Sequence, residues 1–409
     1  MSVIIGRTCI ALIKLYFLPL LYFDHNATTP VAPEVADALD GSVRQVWGNA
    51  SSIHSAGQIA RQQLEQARRT IASFLRAKAT ELVFTSGGTE SNNIAILGLV
   101  RGFTAARKHI VTTTIEHPAV LEPCRQLERE GVEVSYVGAG RNGVVAVEAI
   151  RAAIRSETVL VSVMHANNET GVLQPVAAIG RLVRELREAG QTIYFHSDGV
   201  QAFGKVPVDL NADAIDLYST SAHKIYAPKG IGLLFVSKRV PLRGIQFGGR
   251  HERERRAGTE NVPGAVAFAR AVELCASYPA SFIAGLRDRF EKQVGDALPD
   301  VQINGRSSPR LPNTSSVTFH GASGEGIVIA LDLLGMAVSS GSACSSGSTE
   351  PSHVLLAMGL RREEARSSVR FSFGRYNTEP DVDALADSVI KTARRLRKSS
   401  AKEAHVVTG

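Results

Sequence analysis

Cysteine is scarce in this chain of 409 residues: four in all, at positions 9, 124, 275 and 344, with no CxxC pair and no Cys/His ligand spacing. That scatter excludes a disulfide framework and a structural zinc site, and it suits a reducing compartment; the expectation is a cytoplasmic protein with no metal site. A lysine–arginine block is also missing. The net charge is +7, yet the densest basic stretch, Arg250 to Arg256, is broken by Glu252 and Glu254. The charge therefore reads as a mild surface bias, with no nucleic-acid partner expected. No internal repeat is visible. What remains is a chain with ordinary apolar and charged fractions, long enough for two domains and a sizeable core.

Residues 8–23 form an apolar run after Arg7. Lys14 interrupts it, no small-x-small cleavage site follows, and it is short for a membrane span. The expectation is no membrane association, with residues 1–20 an upstream extension or a lead into the first strand.

From about residue 80, short β-branched runs alternate with amphipathic helical patterns. The strands are expected at Glu81–Ser86, His109–Ile115, Glu133–Val137, Val159–His165, Thr192–His196, Ile215–Thr220 and Gly232–Val236. Helical spacing of leucine, isoleucine and valine marks Ala119–Glu130, Val147–Ile154 and Ala177–Ala189 between them. Such alternation predicts an α/β fold with a mostly parallel sheet covered on both faces. After about residue 265 the pattern changes to helices at Ala265–Ser277, Ile283–Ala297 and Val382–Leu396, with strands at Ser315–Phe319 and Val369–Phe373. This reads as a smaller α+β domain, followed by a disordered polar tail at 398–409.

Ligands in open α/β sheets bind beyond the carboxyl ends of the strands. Four expected strand ends carry unusual polar residues. Thr85–Asn93 contains Gly87 and Gly88 just before an apolar helical run, which suits an anion cradle; it has neither the Walker lysine spacing nor the GxGxxG spacing of a nicotinamide site. Glu116-His117-Pro118 puts a histidine at a strand end. Met164–Gly171 is rich in hydrogen-bonding side chains. Phe195–Gln201 places Asp198 at a strand tip, where it could ligate a metal, cap a helix or face a cationic ring. The fullest segment is Thr220–Gly232, with Lys224 next to His223. A lysine at a strand end that shares a cleft with an anion cradle and an aspartate suits pyridoxal phosphate: the cradle takes its phosphate, the aspartate its ring nitrogen, the lysine its aldehyde. Separately, Ser339–Ser352 sets Cys344 among serines and glycines. Taken alone it is a surface loop that holds a thiol.

Nine ordered motifs then identify a resemblance: Asp24–Pro30, Thr85–Asn93, Glu116-His117, Asn167–Gly171, Asp198–Gln201, Ser221–Lys224, Arg256–Asn261, Ser340–Cys344 and Arg370–Arg375. From Leu21 to about residue 395 the chain resembles the NifS/IscS-type cysteine desulfurases of the class V aminotransferase-like family, pyridoxal-phosphate enzymes of fold type I. The resemblance implies a large cofactor-binding domain with a seven-stranded sheet over residues 32–279, and a small domain from 1–31 and 280–409. It implies Lys224 as the lysine that carries the cofactor and moves the substrate Cα proton. Asp198 would face the ring nitrogen, His117 the ring, and Gln201 the ring hydroxyl. Gly88, Thr89, Ser221 and His223 would hold the phosphate, with Thr259 completing the site of a neighbouring subunit in a homodimer. Asn168 and Arg370 would bind the carboxylate of L-cysteine. Cys344 would be the nucleophile that takes the sulfur as a persulfide and passes it to an acceptor protein, such as an iron–sulfur scaffold, while its loop moves between two places. The stretch after Leu396 lacks the acidic-aromatic tail of housekeeping members, which places the chain nearer NifS-like or specialised ones. A selenocysteine lyase or another fold-type-I enzyme is the alternative.

Overall fold

The computed structural model describes residues 20–104, 107–277, 279–340 and 350–407, with side chains as far as residue 398. Cys344, most of its loop and residues 1–19, which hold most of the upstream apolar run, lie outside the described residues.

The central sheet has seven strands: Leu82–Thr85 (β1), His109–Thr113 (β2), Glu133–Val137 (β3), Thr158–Ser162 (β4), Tyr194–Asp198 (β5), Leu217–Ser221 (β6) and Gly232–Val236 (β7). Their spatial order is β1-β7-β6-β5-β4-β2-β3. Only β7 runs antiparallel to its neighbours; the other pairings are parallel. Alternating side chains explain why both faces need cover. Leu82 and Phe84 pack into one core with the helices Pro33–Gln45, Ser55–Phe74 and Val262–Cys275, whereas Val83 packs into another with Ile94–Val100 and the helix Pro118–Arg129.

Two expected strands, β3 and β7, match end to end. Others shift by one or two residues where polar side chains end the ladder. The run expected to continue to His165 leaves the sheet after Ser162, because the His165 amide bonds Asp198 O at 2.9 Å and the chain turns at Asn167. GxGxxG spacing does occur in the chain, at Gly138–Gly143 after β3. It forms a tight turn in which Gly143 N reaches Gly140 O at 2.8 Å, and the next helix starts only at Val147. The turn does not itself open a helix, so it lacks the strand–turn–helix geometry of a dinucleotide site.

A second core surrounds a four-stranded antiparallel sheet, in the order Ser339–Ser340, Ser368–Ser372, Thr314–Phe319, Val301–Ile303. Phe290 of the helix Ala280–Ala297 stacks against Phe371 and Phe373, with ring centroids 4.5 and 5.6 Å apart. The short strand Leu21–Tyr22 pairs in parallel with Met336–Ala337, which brings Phe23 into this core. The closing helix spans Glu379–Val407. Residues 398–407, expected as a disordered tail, therefore continue it; alanine, lysine and glutamate there are good helix formers. Among the described residues, no helix is long and apolar enough to cross a membrane.

Candidate active site

The carboxyl ends of β1, β2, β4, β5 and β6 meet on one edge of the sheet. β1 is buried throughout and runs into Gly87-Gly88. The chain passes so close to β7 that a Cβ on Gly232 would lie 2.5 Å from Gly87 Cα, and one on Gly88 would lie 2.6 Å from Val200 Cγ2. Only glycine fits these two approaches. A helical run starts at Gly88 and continues through a π-turn at Ile94–Gly98 to Gly102. The first N–H groups of such a run have no intrahelical acceptor and attract an anion. The run is held from behind by one segment: Arg256 pairs with Glu90 at 2.8 Å, while Glu252 takes both Arg68 terminal nitrogens at 2.7 Å and the Phe84 amide at 3.0 Å.

Asp198 ends β5. Its Oδ2 accepts from Asn92 Nδ2 at 2.7 Å and its Oδ1 from Val200 N at 3.0 Å, so the carboxylate is fixed but keeps lone pairs. His117 caps the helix Pro118–Arg129, its Nδ1 accepting from Ala119 N at 3.0 Å. The neutral ring must then carry its proton on Nε2. Burial lowers the His117 pKa, although the Asp198 charge opposes this, so the neutral form is favoured. Beyond β6, Lys224 Nζ donates to the carbonyls of Asn26 and Ala27 at 2.6 and 2.7 Å. Gln201 Nε2 shares the Asn26 carbonyl at 2.9 Å. His223 contacts Thr28 Oγ1 through Nδ1 at 3.1 Å, and burial pushes its pKa down to about 4.

Arg370 comes from the second sheet. It donates to Asn168 O at 3.1 Å and pairs with Asp24 at 2.7 Å, while its Nε has no acceptor among the described residues. Ten expected site residues line a single cavity of about 310 Å³: Gly88, Thr89, His117, Asn168, Asp198, Gln201, Ser221, His223, Lys224 and Arg370. Thr259 is exposed and does not line it. The described residues on either side of 341–349, the segment that carries Cys344, lie beside this cavity. Ser339 pairs with Arg370; Ser352 Oγ donates to Glu169, next to Asn168; and His353 Nε2 bonds Glu116 O at 2.9 Å, next to His117.

The donor set fits pyridoxal phosphate. A cradle that a Cβ would fill faces hydroxyls and a helix start, and a buried carboxylate and a lysine share the same cavity. Residues 21–385 match the model of the aminotransferase class-V family. The chain belongs to that family.

One class-V relative, cysteine desulfurase IscS of Dictyoglomus turgidum, is 42% identical over 93% of this chain and 96% of its own. Among solved structures, a NifS-like protein superposes with a TM-score of 0.85 at 36% identity, over 92% of this chain and all of its own. A protein called SspA, solved in complex with cysteine, superposes at 0.78 with 35% identity over 88% of this chain and all of its own. The class-V site also contains residues that carry no role in the sequence reading. Asn26 is one: its side chain bonds Asn168 O, Thr314 and Asn313 at 2.9–3.1 Å while its carbonyl receives Lys224 and Gln201. Glu116 is another, fully buried, with Oε1 accepting from Met164 N and Thr113 Oγ1 and Oε2 without a partner among the described residues. Burial pushes its pKa up to about 8.

Proposed function

We propose that this class-V protein is a pyridoxal-phosphate-dependent cysteine desulfurase that converts L-cysteine to L-alanine and leaves the sulfur as a persulfide on Cys344. One observation carries the reading: Lys224, Asp198, His117 and Arg370 line one cavity, in a chain whose full-length relative bears that name. The neighbour solved with cysteine supports the substrate.

When bound, the cofactor supplies an electron sink that loosens bonds at the substrate Cα and Cβ. Lys224 would carry the cofactor and move the Cα proton. Asp198, its carboxylate fixed by Asn92 and Val200, would face the ring nitrogen. Gly88, Thr89, Ser221 and His223 would hold the phosphate, and Gln201 the ring hydroxyl. His117, neutral with its proton on Nε2, would face the ring and could pass that proton. Arg370 offers an unpaired Nε to the substrate carboxylate beside Asn168.

The Cys344 thiolate attacks the substrate sulfur, the Cβ–S electron pair goes to Cβ, and Cβ gains a proton. One thiol and one cysteine thus give one persulfide and one alanine, with no external oxidant. Residues 32–279 form the cofactor-binding domain, while 1–31 and 280–409 form the smaller domain that contributes Arg370 and Cys344. Thr259, exposed here, serves the phosphate site of the partner subunit in a homodimer, and an acceptor protein removes the sulfur.

The test is Lys224→Ala. The purified variant should lack the visible absorbance of bound cofactor and form no alanine from L-cysteine; retention of that absorbance removes Lys224 from its role.

A further inference from the structure

Gln201 and Lys205 both stand in the turn that follows β5. The neighbours of the Gln201 amide leave it one orientation. Its Nε2 donates to the Asn26 carbonyl at 2.9 Å, and a carbonyl oxygen can only accept. Its Oε1 accepts from Lys205 Nζ at 2.9 Å, and an ammonium can only donate. An amide turned the other way would set oxygen against oxygen at Asn26 and N–H against N–H at Lys205. Nε2 carries two N–H groups, of which the Asn26 carbonyl takes one. Gln201 lines the larger cavity, and the second N–H is the donor it can offer there.

Lys205 also strengthens that donor. A hydrogen bond received by an amide oxygen polarises the whole amide, so its N–H groups donate more strongly. The lysine works from behind: it lines the smaller cavity of about 80 Å³ and not the larger one. Packing around the ammonium, with the positive fields of Lys224 and Arg370, pushes it down to about 7. It can donate an N–H to Gln201 in either charge state, so the contact survives loss of the proton.

We propose that Lys205 is a positioning residue for the cofactor: it fixes and polarises the Gln201 amide, whose second N–H then favours the anionic form of the pyridoxal-phosphate ring oxygen and lowers the pH at which the bound cofactor loses its proton. This rests on the pyridoxal-phosphate reading and on the place of Gln201 at the ring hydroxyl. The visible absorbance of the bound cofactor reports that proton, so the test is its pH titration in the cofactor-loaded full chain. Asp198, His117, His223, Lys224 and Arg370 face the larger cavity, while His25, Tyr226, Cys275 and Arg375 lie with Lys205 around the smaller one. Their fields are common to all four proteins of a double-mutant cycle of Lys205→Met with Gln201→Leu, which isolates the path through Gln201.

Lys205→Met alone should raise the absorbance midpoint by roughly half to one pH unit. In the Gln201→Leu background the same substitution should move it by less than ~0.3 pH units. Equal shifts in the two backgrounds make Lys205 a plain source of charge or packing and overturn the proposal. A wild-type band that does not titrate while the protein is folded overturns it too. Lys205→Arg keeps a donor at Gln201 Oε1 and should restore the wild-type midpoint; a midpoint as high as that of Lys205→Met contradicts the positioning role. Should Lys205→Met fail to fold, a crystal structure of the loaded wild type decides. It should show Lys205 Nζ in hydrogen-bond reach of the Gln201 amide, and that amide in reach of the ring oxygen; absence of either contact overturns the proposal. A wild type that takes up no visible cofactor gives a different result: it refutes the pyridoxal-phosphate reading itself, and this inference with it.

Discussion

Replacing Glu252 with alanine tests how the anion cradle is held in place. Arg68 and Glu252 are both almost fully buried, with two 2.7 Å bonds between them. Removing one partner of such a pair leaves an unmatched buried charge, at a cost of about 3–5 kcal/mol. The Phe84 amide on β1 also loses its acceptor, which adds about 1–3 kcal/mol. Two groups soften the loss: Arg68 keeps Leu82 O at 3.0 Å and the partly exposed Glu65 at 3.0 Å. Residues 252–254 hold left-handed backbone at φ 45°, 58° and 66°, and part of that strain, about 1–2 kcal/mol per residue, is released when the anchor goes. The net expectation is a loss of about 3–5 kcal/mol, read by urea unfolding of the cofactor-free protein under far-ultraviolet circular dichroism. The double variant Arg68→Met with Glu252→Met removes both charges and leaves mainly the Phe84 amide unpaired, about 1–3 kcal/mol. It should be more stable than Glu252→Ala. A single-variant loss below about 1 kcal/mol, or a double variant no more stable than the single, refutes the reasoning.

Two further substitutions probe the site itself. Glu116 stays protonated in the native protein up to about 8 but ionises near 4.5 when unfolded. Native stability from this group is therefore complete below about 4.5 and is lost as pH rises towards 8. Glu116→Gln keeps the acceptor for Met164 and Thr113 and should flatten the melting temperature across that window; parallel melting curves for variant and wild type would contradict it. Arg370→Lys removes the planar donor beside Asn168. It should lower kcat/KM for L-cysteine by roughly tenfold to a hundredfold, the size of a charged hydrogen bond worth about 1.5–3 kcal/mol, with cofactor absorbance retained; an unchanged KM would argue against carboxylate binding by Arg370.

The sheet was readable because its strands are short apolar runs between turn residues, and the site because strand ends concentrate the polar exceptions. The helix Ser55–Phe74 was not assigned from sequence. Its buried face is Gly57, Ala60, Leu64, Ala67, Arg68 and Ile71, where small residues and a charge blur the apolar stripe. Arg68 looks like a surface residue until Glu252, 184 positions away, is placed beside it. The same holds for Lys205 and for the Arg370–Asp24 pair, whose partners are set only by the packing of the two cores. Asn26 stood inside a recognised motif, yet nothing local told that its carbonyl would receive the Lys224 ammonium. The tail after Leu396 was misread because its polarity hid a sequence with good helix propensity.

The central claim is sulfur transfer to Cys344, and it can be measured on one peptide. Cofactor-loaded protein given one equivalent of L-cysteine and quenched should yield alanine and an added sulfur atom on the peptide that contains Cys344. Cys344→Ser should keep the cofactor absorbance, form no persulfide and release little sulfide under mild reductant. The other described thiols, Cys124 and Cys275, are pushed up to about 12 and 11 by burial and should stay unmodified. Near-normal sulfide release by Cys344→Ser, or a persulfide carried by Cys124 or Cys275 in place of Cys344, would contradict the account.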